Sequence, residues 1–105
     1  MITIKVNKKA GDYVQFLSTG HAGYSEEGSD IICAAVSALI INTMNSIEQF
    51  TDDSFEEETK DGYVKVSFPD GMSDKGRLLM DSLILGLTFI EQNNNQYLTV
   101  KIREV

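Results

Sequence analysis

The stretch DIICAAVSALIINTMNSIEQF, residues 30–50, decides the architecture, because its apolar positions recur with a helical period and not a strand period. Ile32, Val36, Leu39, Ile40, Thr43 and Ile47 fall on one stripe, and Ile31, Ala35 and Ala38 widen it. The expectation is a largely buried helix from Asp30 to Phe50, with Asp30 as its N-cap because an aspartate oxygen accepts from the unpaired N–H groups of a first turn.

Before this helix, Ile2, Ile4 and Val6 alternate with polar residues, Asn7 to Asp12 offers turn chemistry including Gly11, and Val14 to Thr19 is again extended in character. That is a β-hairpin pattern. After it, Thr51 to Thr59 is acidic and only weakly strand-like, but Asp61-Gly62 is a turn signal and Val64, Val66 and Phe68 alternate with Lys65 and Ser67. A second hairpin follows from this, closed by Pro69-Asp70-Gly71.

Ser73 is a suitable N-cap for a second helix reaching Gln92, with Leu79, Leu83, Gly86 and Ile90 on one face and Leu87 beside them. Gly86 lacks the propensity of alanine by about 1 kcal/mol, so close packing is the reason to expect it there. Asn93-Asn94-Asn95 breaks the helix, and Leu98, Val100 and Ile102 alternate with polar residues in a last strand. The expected class is α+β, a mostly antiparallel sheet of about five strands carrying two helices in the order ββαββαβ. At 105 residues the chain, 1–105, is expected to be one domain.

A net charge of −7 argues against a surface that tracks phosphates, so no direct nucleic-acid partner is expected, and a basic protein is the easier partner. The N-terminal residues lack the apolar core of a signal peptide, and Ile31 to Ile41 is short for a bilayer span, so no membrane association and a cytoplasmic location are expected. The single cysteine rules out an internal disulfide and a Cys-x-x-Cys redox pair.

That cysteine, Cys33, lies close in sequence to the only histidine, His21. If Asp30 caps the helix, Cys33 is the third helical residue, where first-turn N–H groups favour a thiolate and could face an oxyanion. His21 follows Gly20 directly and opens the loop Ala22, Gly23, Tyr24, Ser25, Glu26, Glu27, Gly28 and Ser29. An imidazole there could take the thiol proton and pass it to a leaving amine. Each residue also has a plainer reading, Cys33 as a small buried hydrophobe and His21 as a turn histidine.

Asp30 has a second possible task, orienting His21, and Ser37 lies one turn after Cys33 on the same helix face, within reach of the site or packed inward. Gly23 and Gly28 bound a segment that would serve either as a lid or as ordinary turns. One Cys and one His make a poor metal set, so neither a metal nor another cofactor is expected.

Gly20-His21-Ala22-Gly23-Tyr24, a short loop, then Asp30 through Ser37 as DIICAAVS together resemble the ribosomal-processing cysteine protease family, called Prp, and the likeness runs along the whole chain. The resemblance implies an endopeptidase that removes a short N-terminal extension from large-subunit ribosomal protein L-27, so that the partner is a ribosomal precursor. It also implies a homodimer, His21 as base, Cys33 as nucleophile, and a loop between them that closes over substrate. The competing function is a non-catalytic module that binds a ribosomal partner and keeps Cys33 structural. A weaker third is a regulatory thiol sensor in which His21 is dispensable.

Overall fold

A computed structural model describes residues 1–21 and 29–105. Seven elements follow one another: β1 (Ile2–Lys9), β2 (Asp12–Thr19), α1 (Ser29–Phe50), β3 (Glu56–Lys60), β4 (Tyr63–Ser67), α2 (Asp74–Asn93) and β5 (Leu98–Glu104). The strands form a sheet in the order β3-β4-β2-β1-β5. Its pairings are antiparallel except for β1 with β5, which is parallel. The α+β class and the ββαββαβ order are therefore as expected.

The first hairpin is tighter than its sequence suggests. Strand pairing continues to Lys9 and Asp12 across a bulge at Asn7/Lys8, leaving Ala10 and Gly11 as a two-residue turn. Both have positive φ, 51° and 81°, the backbone whose twist matches the strands it joins. The acidic run after α1 does contain a strand: Glu56–Lys60 pairs with β4 at the sheet edge, where every residue of it is exposed. Fully exposed glutamates carry no period-2 apolar signal, which is why β3 is faint in the sequence.

Both helices lie on one face of the sheet, over Ile2, Ile4, Val6, Phe16, Val66 and Leu98. From α1, Ile32, Val36, Ile40, Met44 and Ile47 enter this core. The helix is less widely buried than expected, since Ile31 and Ile41 are 72% and 59% exposed and Ala38 is exposed. By length and composition Asp30–Phe50 could cross a bilayer, but its Ile32-to-Ile47 side is committed to the sheet. The α2 stripe is centred on Gly76, Met80, Leu83, Ile84 and Leu87, with Leu79 and Ile90 at its margin. In β5, Leu98 is buried while Ile102 is 53% exposed, so the covered face ends before the strand does.

Ser73 caps α2 as expected, its Oγ accepting from Gly76 N at 3.1 Å. The cap is itself held by Asp53, whose Oδ1 accepts from Ser73 N at 2.9 Å and whose Oδ2 accepts from Ser73 Oγ at 2.8 Å. A Cβ on Gly76 would sit 2.0 Å from Asp53 Oδ2, whereas one on Gly86 would meet only the tip of Leu39, at 3.1 Å. Gly86 thus marks close approach of the helices, as its place in the sequence suggests.

At α1 the cap differs from expectation. Ser29 is already helical, so Asp30 lies inside the helix and not at its cap, exposed, and Cys33 stands deeper than the third helical position.

Gly76→Ala is expected to lower stability by about 1–3 kcal/mol through loss of the Asp53–Ser73 cap, despite the better helix propensity of alanine. Gly86→Ala, facing a side-chain tip that can turn aside, should leave stability unchanged or raise it. Thermal unfolding of the two variants checks the pair, and equal effects would contradict it.

Candidate functional site

The site begins where β2 ends. Gly20 has φ of 92°, and its N–H donates to Gly62 O at 2.8 Å, extending the β2–β4 pairing that sets Thr19 opposite Tyr63. A side chain at Gly20 would collide with Met1 O, 2.3 Å from its Cβ. The following carbonyl, that of His21, accepts from the Met1 α-ammonium at 2.6 Å. The backbone around His21 is thus held on two sides, by Met1 and by the β3–β4 turn.

The imidazole lies against that turn. A Cβ on Gly62 would approach His21 Nε2 to 2.7 Å and Cδ2 to 3.1 Å, so only glycine lets the ring lie flush. Gly62 also has φ of 67°, in the left-handed region. The neighbouring turn residue, Asp61, brings Oδ1 to 3.7 Å from His21 Nε2. The histidine side chain is 35% exposed and the carboxylate 94% exposed.

Cys33 approaches from α1, half-buried at the margin of the core. Its position inside the helix places its own N–H in the helical ladder, not among the unpaired groups of the first turn. Because Cβ bonds tilt toward a helix N-terminus, the side chain still leans over that turn. Cys33, Ser37 and Ile41, spaced one turn apart, run along a groove of about 320 Å³ whose other walls include Gly20, His21 and Gly62. Glu57, Thr59 and Tyr63 reach the same groove from the second hairpin.

Of the residues singled out in the sequence, Gly20, His21, Cys33 and Ser37 therefore meet at one groove, and Asp30 does not line it. The proposed loop residues Ala22, Gly23, Tyr24, Ser25, Glu26, Glu27 and Gly28 lie outside the described residues, as does the side chain of Ser29. Asp61 and Gly62 were legible only as a turn. Their proximity to His21 depends on the pairing of β4 with β2, strands far apart in sequence that no local turn signal joins. Among the described residues, no group of three or more His, Cys, Asp or Glu side chains is placed to hold a metal ion.

A thiol and an imidazole on one groove are the equipment of a thiol hydrolase, and similarity to known proteins gives that class a family. The family model described as cysteine protease Prp matches residues 1–99. The ribosomal processing cysteine protease Prp of Bacillus subtilis is 28% identical over 93 residues, covering 83% of this chain and 83% of its own. A solved structure of the Staphylococcus aureus Prp, in complex with a covalently linked product peptide, superposes with a TM-score of 0.90 at 25% identity, covering 98% of this chain and 100% of that one. A solved Streptococcus mutans protein is 33% identical with a TM-score of 0.87, covering 100% of this chain and 96% of that one. The chain belongs to the cysteine proteases of the Prp family.

Gly11 and Gly62 offer a matched test of the ring contact, since both have positive φ but no atom lies within 4 Å of a Cβ on Gly11. Alanine at either should cost about 1–2 kcal/mol of backbone strain. Only Gly62→Ala should displace the imidazole, read from the His21 ring resonances, which are unambiguous in a chain with one histidine. Unmoved resonances in Gly62→Ala would refute the contact.

Proposed function

We propose that this protein is a cysteine endopeptidase that removes the N-terminal extension of large-subunit ribosomal protein L-27, working in the cytoplasm as a homodimer. The observation that carries the reading is the single groove with both His21 and Cys33 on its walls. Its support from relatives is the S. aureus Prp solved with a covalently linked product peptide.

In this mechanism the Cys33 thiol gives its proton to His21 as sulfur attacks the scissile carbonyl carbon. His21 returns that proton to the leaving amine, and the C–N bond breaks to leave a thioester. Water then adds to the thioester, losing a proton to His21, and the released thiolate recovers it. An extended substrate segment laid in the groove would pass β3, where Glu57 faces the groove and Glu56 and Glu58 lie beside it along the strand. These acidic residues suit a basic ribosomal substrate and would speed encounter. The homodimer draws support from Leu78, Leu85 and Phe89, which are 67%, 73% and 66% exposed along one side of α2.

Incubation with the extended precursor tests the reading. Cys33→Ala and His21→Ala are each expected to reduce cleavage at least about a thousand-fold, because a nucleophile and its base act as a unit. Cleavage that survives either substitution would remove the dyad. Binding of the precursor without any cleavage by the unaltered protein would favour the non-catalytic module instead.

A further inference from the structure

The pairing of Asp61 with His21 goes beyond a two-residue site. An exposed ion pair contributes little to stability, typically below about 1 kcal/mol, so stability is a weak reason for it. The backbone that carries Asp61 is nevertheless fixed. The turn that carries Asp61 is joined to β2 through Thr19↔Tyr63 and through Gly20 N to Gly62 O at 2.8 Å. It is joined to the imidazole by the flush contact at Gly62. The carboxylate is therefore presented to one edge of the ring, the Nε2 edge, by backbone bonds that do not involve the residues between His21 and α1.

A carboxylate at one nitrogen of a neutral imidazole favours the tautomer with its proton there, and leaves the other nitrogen basic. We propose that Asp61 is a positioning residue that holds the His21 proton on Nε2, so that Nδ1 is the atom exchanging protons with Cys33. The inference rests on the protease reading for its consequence, but not for its geometry. The 3.7 Å separation is longer than a hydrogen bond. Rotation of the exposed Asp61 side chain closes it when substrate fills the groove and excludes water, as catalytic hydrogen bonds often tighten on binding.

The proton path is then complete. The Cys33 S–H proton passes to Nδ1 as sulfur bonds to the carbonyl carbon, and the imidazolium so formed is stabilised by Asp61 across Nε2–H. Nδ1–H next protonates the amine as the C–N bond breaks. In the second half, Nδ1 takes a proton from water as its oxygen bonds to the thioester carbon, and the departing Cys33 sulfur takes that proton back. Nε2 keeps its proton throughout.

The test uses the full chain labelled with ¹⁵N-histidine, since the one histidine gives one pair of ring nitrogens. At a pH where the imidazole is neutral, Asp61→Ala should lower the share of the Nε2–H tautomer, with Asp61→Asn intermediate because its amide oxygen remains an acceptor. With precursor as substrate, Asp61→Ala should lower kcat about three- to ten-fold and leave KM within about two-fold, the pattern of a group acting on the reacting atoms and not on binding. An unchanged tautomer share, or an unchanged kcat in a protein that cleaves, overturns the proposal. Should the unaltered protein fail to cleave while the tautomer share still falls, the protease reading is lost and the positioning of His21 by Asp61 stands.

Discussion

The pairing of β2 with β4 is the constraint on which the groove depends. Thr19 faces Tyr63, and one further backbone bond, Gly20 N to Gly62 O at 2.8 Å, carries the pairing past the end of the strand. A slip of one residue would reverse every side chain of β4, exposing Val66 and taking the turn away from His21. The fold prevents this through burial, since Phe16 and Val66 are opposite one another and both fully buried. Placement of a partly exposed imidazole is thus secured by the cost of exposing core residues elsewhere on the same two strands.

Helix α1 makes a parallel use of its two sides. The row Ile32, Val36, Ile40, Met44 and Ile47 anchors it to the sheet, while Cys33, Ser37 and Ile41 form the adjacent row along the groove. Neighbouring rows on a helix differ by one residue, about 100° of rotation, so fixing the first orients the second. The packed row thus orients Cys33 toward the groove, and its half-burial follows from standing beside a fully packed row. The groove is therefore formed between two rigid elements, the flank of a packed helix and the turn of a paired hairpin, a setting in which side chains are positioned better than on loops alone.

Much of this was legible in the sequence, and the exceptions have physical causes. Element order came from period changes, since a buried helix stripe and alternating strands leave distinct marks on Ile32 to Ile47 and on Val64 to Phe68. The faint strand, Glu56–Lys60, is an edge strand with no buried residue, so it leaves no mark. The wide burial expected of α1 failed because a stripe widened by Ile31 and Ala38 has the same composition whether those flanks are covered or exposed. His21 and Cys33 stood out by being single, and Ser37 by helical spacing. Asp61 and Gly62 did not, because their tie to His21 crosses forty residues and exists only after β4 pairs with β2.

The extent of α1, in which Ser29 and Asp30 are already helical, places the thiol farther from the helix end than a cap at Asp30 would. A helix end acts strongly only within its first turn, and a cysteine at the third helical position would have been served by it directly. Deeper in the helix that contribution is weaker, although the side chain leans back toward it. In the proposed mechanism the sulfur gives its proton to the imidazole, so how firmly that imidazole is held matters more. The site answers this requirement with backbone: the Met1 ammonium on the His21 carbonyl, the Gly20–Gly62 bond, and a glycine beneath the ring. Under the proposed protease reading, the placement of His21 bears on the reaction at Cys33 more than the helix end does.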